Sequence, residues 1–168
     1  MDRGLYSLAH DVISAEKRAG YALGYIELGL LEAARAELAA ISPDQAGSPG
    51  ILGARIELAM AGGEWNEVVS LASRAVEADP AGERPWIAWA YALRELQQIR
   101  QALEVLLRGE LHIAAPGVLV DYNLACYLAL LGDLKEARRR LNRVFARDPN
   151  WRAEADDDPD LATLHLKD

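Results

Sequence analysis

Residues 122–149 read YNLACYLALLGDLKEARRRLNRVFARDP, and residues 61–80 read AGGEWNEVVSLASRAVEADP. The later part of the first stretch, from Leu131, matches the second in plan. Each runs from a glycine-containing turn through a helical pattern to Asp-Pro. Gly63 and Gly132 stand 69 residues apart, and so do Pro80 and Pro149. Such an interval is tested for an internal period first, because a missed repeat misreads the whole fold. Halving it into steps of 34 and 35 predicts a hidden copy, with its turn at Gln97 and its helix through Ala102 and Leu106. One further period back lies Gly29.

The columns align through four copies. Ala34, Val68, Ala102 and Ala137 share one position, and Leu38, Ala72, Leu106 and Leu141 another four residues on. Leu31, Trp65, Ile99 and Leu134 form a third. Ala22, Ile56, Ala90 and Ala125 form a fourth on the preceding segment, and Tyr25, Ala59, Leu93 and Leu128 a fifth. Residues four apart lie on one helical face, so each unit is two amphipathic helices joined at a tight turn. Composition agrees. Of 168 residues 30 are alanine and 26 leucine, both good helix formers, and phenylalanine occurs once.

A 34-residue helix–turn–helix period resembles the tetratricopeptide repeat (TPR). The resemblance is most specific in residues 122–149, where Asn123-Leu124-Ala125, Leu128, Gly132-Asp133, Ala137, Leu141 and Asp148-Pro149 stand where the family pattern expects them. PWIAWAYALREL (85–96) matches the first helix of a repeat, with Trp86 as the expected aromatic. The resemblance implies an all-α, right-handed superhelix, or solenoid, with repeats at about 15–48, 49–82, 83–116 and 118–151. Arg18 replaces the aromatic of the first repeat, Arg55 takes an apolar site in the second, and the third lacks both the turn glycine and the closing Asp-Pro.

Local signals mark the boundaries. Asp133 with Glu136 is close to a capping box. Pro85 suits a first helical turn. The Gly-, Pro- and Ser-rich run from Pro43 to Gly53 reads as a loose loop between repeats, with Pro43 shortening the helix before it. A solenoid exposes its stacking face at each end unless something covers it. Residues 1–14, with Leu5, Leu8 and Val12, are expected to extend the first helix or cap that end. Residues 152–168 form an acidic cap, in which Asp158-Pro159 starts a helix and Trp151, Leu161 and Leu164 cover the last repeat.

Several function classes are excluded or disfavoured. No run approaches 18 apolar residues, so no membrane span is expected, and residues 1–16 are not a signal peptide. The single cysteine, Cys126, has no partner for an internal disulfide, so the cytoplasm is the expected compartment. It reads as small buried filler. A net charge of −8 argues against a nucleic-acid binder. His10, His112 and His165 lack metal-ligand spacing. The glycines at 47, 50 and 53 lack the Gly-Lys-Ser/Thr ending of a phosphate loop. Neither the nucleophile motif of a hydrolase nor the alternating acids of an EF-hand is present. No enzyme activity, catalytic residue, metal or cofactor is therefore expected.

Charge is uneven. Residues 1–82 carry −6, residues 83–149 carry +2 and residues 150–168 carry −4. Arg138, Arg139, Arg140, Arg143 and Arg147 concentrate the basic excess. Either they form a solvated face, or the acidic tail folds back on them.

What remains is surface. The family resemblance implies that the first helix of each repeat lines a concave groove that holds a peptide or protein segment. The period maps that groove onto Leu23, Ile26, Glu57, Arg84, Ile87, Tyr91, Arg94, Leu119 and Tyr122, together with Glu27, Met60, Cys126 and Ala129. Tyr91, Tyr122, Arg84 and Arg94 are the expected anchors, since aromatics and arginines dominate interfaces. Some family members clamp a C-terminal carboxylate. The matching positions here are Ala19, Leu23, Ala54, Arg84 and Ala88, and Arg84 alone suits, so that clamp is absent and a hydrophobic or mixed ligand is expected. The leading reading is a non-enzymatic adaptor or scaffold, monomeric or weakly self-associating, binding a protein or peptide. A secretion-type chaperone for one client and a self-assembling repeat protein are the alternatives.

Overall fold

The computed structural model describes residues 13–164. Eight α-helices form four pairs: α1 (Ala15–Glu27) with α2 (Leu31–Ala39), α3 (Pro49–Ala61) with α4 (Trp65–Ala78), α5 (Glu83–Glu95) with α6 (Ile99–His112), and α7 (Val118–Leu130) with α8 (Leu134–Arg147). A short α9 (Trp151–Asp157) and a 3-10 helix (Pro159–Leu164) follow. The expected extension over residues 1–12, with Leu5, Leu8 and Val12, lies outside the described residues, as do His10 and His165. Ile13 and Ser14 are not helical, and the Ser14 hydroxyl caps α1 by accepting from the Lys17 N–H at 3.3 Å.

Each first helix packs on the next first helix, α1 on α3, α3 on α5 and α5 on α7. Among the described residues the backbones of successive second helices do not approach closely, and α6 and α8 meet through side chains, Glu110 with Arg140 and Arg143. The stack therefore curves with α1, α3, α5 and α7 inside. It is an α–α solenoid, as the period requires.

One turn geometry recurs four times. The N–H of Leu30 reaches back to the carbonyl of Tyr25, Glu64 to Ala59, Gln98 to Leu93 and Asp133 to Leu128. The residue before each donor sits in the left-handed region: Gly29, Gly63, Gln97 and Gly132, with φ between 62° and 87°. This six-to-one bond closes the helix's last carbonyls. It also explains why Gln97 occupies the turn position that halving the interval predicted. The capping box at Asp133 is half formed. Asp133 accepts from the Glu136 N–H at 3.2 Å, but its own N–H is already spent on Leu128, so Glu136 turns to Arg139 and Arg140 instead.

The loop expected from Pro43 to Gly53 ends earlier. Ser48 is the N-cap, Pro49 the first helical residue, and Gly50 and Gly53 lie inside α3. Burial of Ile51, Leu52, Ala54, Ile56 and Leu58 outweighs the helix penalty of two glycines. Pro43 does follow a shortened helix, as α2 has 9 residues against 14 in α4, α6 and α8.

The irregular arginines have local reasons. Arg18 pairs with Glu37 at 2.7 Å across the first helix pair. Arg55 donates to the Leu38 carbonyl at 3.2 Å, near the end of α2, where carbonyls lack helical partners. Gly109 stands in the last turn of α6, where Trp86 fills the space beside it. A Cβ there would lie 2.8 Å from the Trp86 Cγ. Trp86 itself is buried, and its Nε1–H donates to the Pro80 carbonyl at 2.9 Å.

Two substitutions of one kind are expected to act in opposite directions. Gly109→Ala should lower unfolding free energy by about 1–2 kcal/mol through overpacking, although alanine favours helix. Gly24→Ala, where nothing lies within 4 Å of the added carbon, should raise it by about 0.8 kcal/mol. Urea denaturation measures both, and equal shifts would contradict this packing. Gln97→Gly should stabilise by about 0.5–1 kcal/mol by relieving the left-handed backbone. A loss of stability there would contradict the turn geometry.

Candidate interaction groove

Helices α3, α5 and α7 shape two cavities on the inner face, of about 560 and 450 Å³. Met60, Ile87 and Leu119 line both, so the two form one depression.

Its far wall is not a repeat helix. After Asp148-Pro149 the chain turns back, and the 3-10 helix packs on α7 and α8. Leu161 and Leu164 are 1% and 0% exposed within the largest core cluster. At about 1.5–3 kcal/mol for each buried leucine, they anchor the segment firmly. Three polar contacts then reach into the groove. Asp160 takes two hydrogen bonds from Arg94, one of them from Nε at 2.8 Å. Asp158 accepts from the Tyr122 hydroxyl at 2.8 Å and lies 3.6 Å from the Cys126 sulfur. Its other oxygen accepts from the Asp160 N–H at 2.9 Å, capping the 3-10 helix as the Asp-Pro signal implied. Trp151 lies against Tyr122 with ring centroids 4.8 Å apart.

Electrostatics follow from these contacts. The hydrogen bonds to Asp160 raise Arg94 above the ordinary guanidinium value, against the opposing effect of burial. Burial first, and then the bond to Asp158, pushes the Tyr122 phenol up. Burial first, and then the charge of Asp158, pushes the Cys126 thiol up. A thiol so held is protonated and unreactive.

Seven of the nine mapped groove positions meet in this depression. Ile87, Tyr91, Arg94, Leu119 and Tyr122 line the larger cavity, and Glu57 and Arg84 join Ile87 and Leu119 at the smaller one. Leu23 and Ile26 lie on α1, outside both; Leu23 is exposed and Ile26 packs on the first core cluster. Arg84 pairs with Glu57 at 2.7 Å. Tyr91 is 37% exposed and meets Trp65 edge-on at 5.8 Å. Of the four expected anchors, Arg94 and Tyr122 contact the chain's own C-terminal segment, and Tyr122 is only 8% exposed. Met60 and Cys126 also line the groove, while Ala129 is buried.

Among the described residues the α8 arginines take their ion pairs from the repeat helices. Arg140 and Arg143 bind Glu110 of α6 and Asp121 of α7, Arg139 binds Glu136, and Arg147 donates to the Pro116 carbonyl. Arg138 alone reaches the segment, donating to the Leu164 carbonyl. Nearer acids on the preceding helices outcompete the tail for these cations. The pairing of Arg94 with Asp160 spans 66 residues, and no periodic signal announces it. On the outer side, between α4 and α6, Arg108 stacks over Trp86 and Trp89 at 5.1 and 5.2 Å, a cluster that the column alignment does not single out. Among the described residues no three of His, Cys, Asp and Glu group as metal ligands, and no helix is long and apolar enough to cross a membrane.

Stacked helix pairs curved around an inner groove define the class as a helical-repeat solenoid, and the repeat has the tetratricopeptide fold. Among solved structures the chain is similar to the crystal structure of TTC0263, a thermophilic TPR protein in Thermus thermophilus. The TM-score is 0.72 at 18% identity, over 92% of this chain and 82% of that one. No family model matches the chain, and no curated protein sequence matches it.

Burial also raises Tyr127, so three acids on α7 hold their protons more tightly in the folded state than unfolded. Their stabilisation is complete below the unfolded values, about 8.5 for a thiol and 10 for a phenol, and is lost as pH rises beyond them. The urea midpoint is expected to be level to about pH 8 and to fall above about pH 9, later in Cys126→Ala. A midpoint level to about pH 11 would contradict the burial of these groups.

Proposed function

We propose that this protein is a non-catalytic adaptor or scaffold whose inner groove holds a short segment of a partner protein. The observation that carries this reading is the exposure of Tyr91 and Leu119, at 37% and 45%, beside Met60 and Ile87 in one concave depression. Large apolar side chains gathered in a cleft mark binding surfaces more often than solvent-facing ones. Helix pairs fix the floor, so little ordering is required when a segment docks. The depression has room for several side chains of an extended or helical peptide. A reducing compartment such as the cytoplasm suits the lone buried thiol.

A displayed library of random peptides of about 12 residues, selected on the full chain, tests the reading. Selected peptides are expected to bind Tyr91→Ala/Leu119→Ala at least about tenfold more weakly than the parent, with the circular dichroism spectrum unchanged. Peptides that bind both proteins equally, or no enriched peptide at all, would overturn it.

A further inference from the structure

The charge of the groove is set from outside the repeats. Among the described residues eight charged side chains line the two cavities, six acidic and two basic. The repeat helices α3 and α5 contribute a balanced set, Glu57 and Glu83 against Arg84 and Arg94. The other four, Glu154, Asp157, Asp158 and Asp160, all come from the segment after the last repeat, and all are carboxylates. Both basic groups are already neutralised. Arg84 bonds Glu57, and Arg94 is held by Asp160 and, at 2.6 Å, by Glu95. Neither is available to an incoming anion without breaking an existing pair. The acids lie beside aromatic surface, since Tyr91 and Trp151 line the same cavity.

We infer that the segment 151–164 sets the ligand class of the groove: it turns a charge-balanced surface into an acidic one that takes a peptide carrying lysine or arginine next to apolar residues. The inference rests on the groove reading above. A cation entering here meets carboxylates and aromatic faces together, and both attract it. An acidic segment meets like charge, and the described basic groups of the groove, Arg84 and Arg94, are already paired, which costs affinity and slows association. The apolar part of the ligand covers Met60, Ile87 and Leu119. Leu161 and Leu164, fully buried, make the acidic wall a fixed part of the molecule rather than a displaceable strap.

The groove-dependent peptides from the library selection provide the probe. They are expected to carry net positive charge. Fluorescence anisotropy should show at least about tenfold weaker binding when each Lys or Arg of such a peptide is replaced by Glu. Binding of the parent peptide should weaken severalfold between about 0.05 and 0.5 M NaCl, and severalfold in Glu154→Gln/Asp157→Asn, whose exposed side chains keep their shape. Groove-dependent peptides that are neutral or acidic, or a Glu counterpart that binds as tightly as its parent, would overturn the inference and leave the groove reading standing. Failure to find any peptide sensitive to Tyr91→Ala/Leu119→Ala would remove both.

Discussion

Ala22 and Ala34, Ile56 and Val68, Ala90 and Ala102, and Ala125 and Ala137 are four pairs, each twelve residues apart and none more than 2% exposed. Each pair joins the two helices of one unit. Alanine at six of these eight positions lets the paired helices approach closely, with Ile56 and Val68 bulkier in the second unit, and interaxial distance depends on the side chains at the contact. The left-handed turn between the helices fixes where the second begins, and so brings the same residues together each time. Successive pairs then stack through their first helices. The curvature of the stack, and with it the groove, follows from this repeated close contact.

Around that constant crossing, other positions vary, and the variation is informative. One pair of positions, nineteen residues apart in each unit, holds Arg18 with Glu37, Leu52 with Leu71, Trp86 with Val105, and Asp121 with Arg140. The two inner units are apolar there. The outer two carry an ion pair with the signs exchanged. In the last unit the pair extends to Glu110 and Arg143, so three helices share one network. Such networks contribute little net stability because desolvation offsets attraction, but breaking one partner leaves a buried charge. Trp86 shows the same economy of space: its bulk is matched by the absence of a side chain at Gly109.

The helix pairs and their turns were legible because the signals repeat. Glycine at three of four turns and Asp-Pro at two of four ends set the period, and the period located the fourth turn at Gln97 without any local mark. Periodicity also placed seven mapped residues at one depression, from Glu57 to Tyr122. It misread Gly50 and Gly53, where burial of neighbouring apolar residues outweighs glycine. It could not foresee the wall of the groove. Asp158 and Asp160 lie beyond the repeats, and their partners Tyr122 and Arg94 are set by the path of the chain, not by spacing. The same limit applies to Glu110, which meets Arg140 and Arg143 from a neighbouring helix at intervals unrelated to the period, whereas Asp121 meets Arg140 at the interval that Arg18 and Glu37 share.

The groove, balanced in charge along the repeat helices that line it, thus takes its acidic lining from the segment that follows the last repeat. That segment buries two leucines, satisfies Arg94 and Tyr122, and lines the cleft with Glu154 and Asp157 as well. The most direct test is a double-mutant cycle on Arg94→Ala and Asp160→Ala, read from urea denaturation. The account predicts a coupling energy of about 1 kcal/mol or more, as expected for a partly buried, two-point contact between charges. Additivity within about 0.3 kcal/mol would contradict it, because the segment would then not lie against the groove.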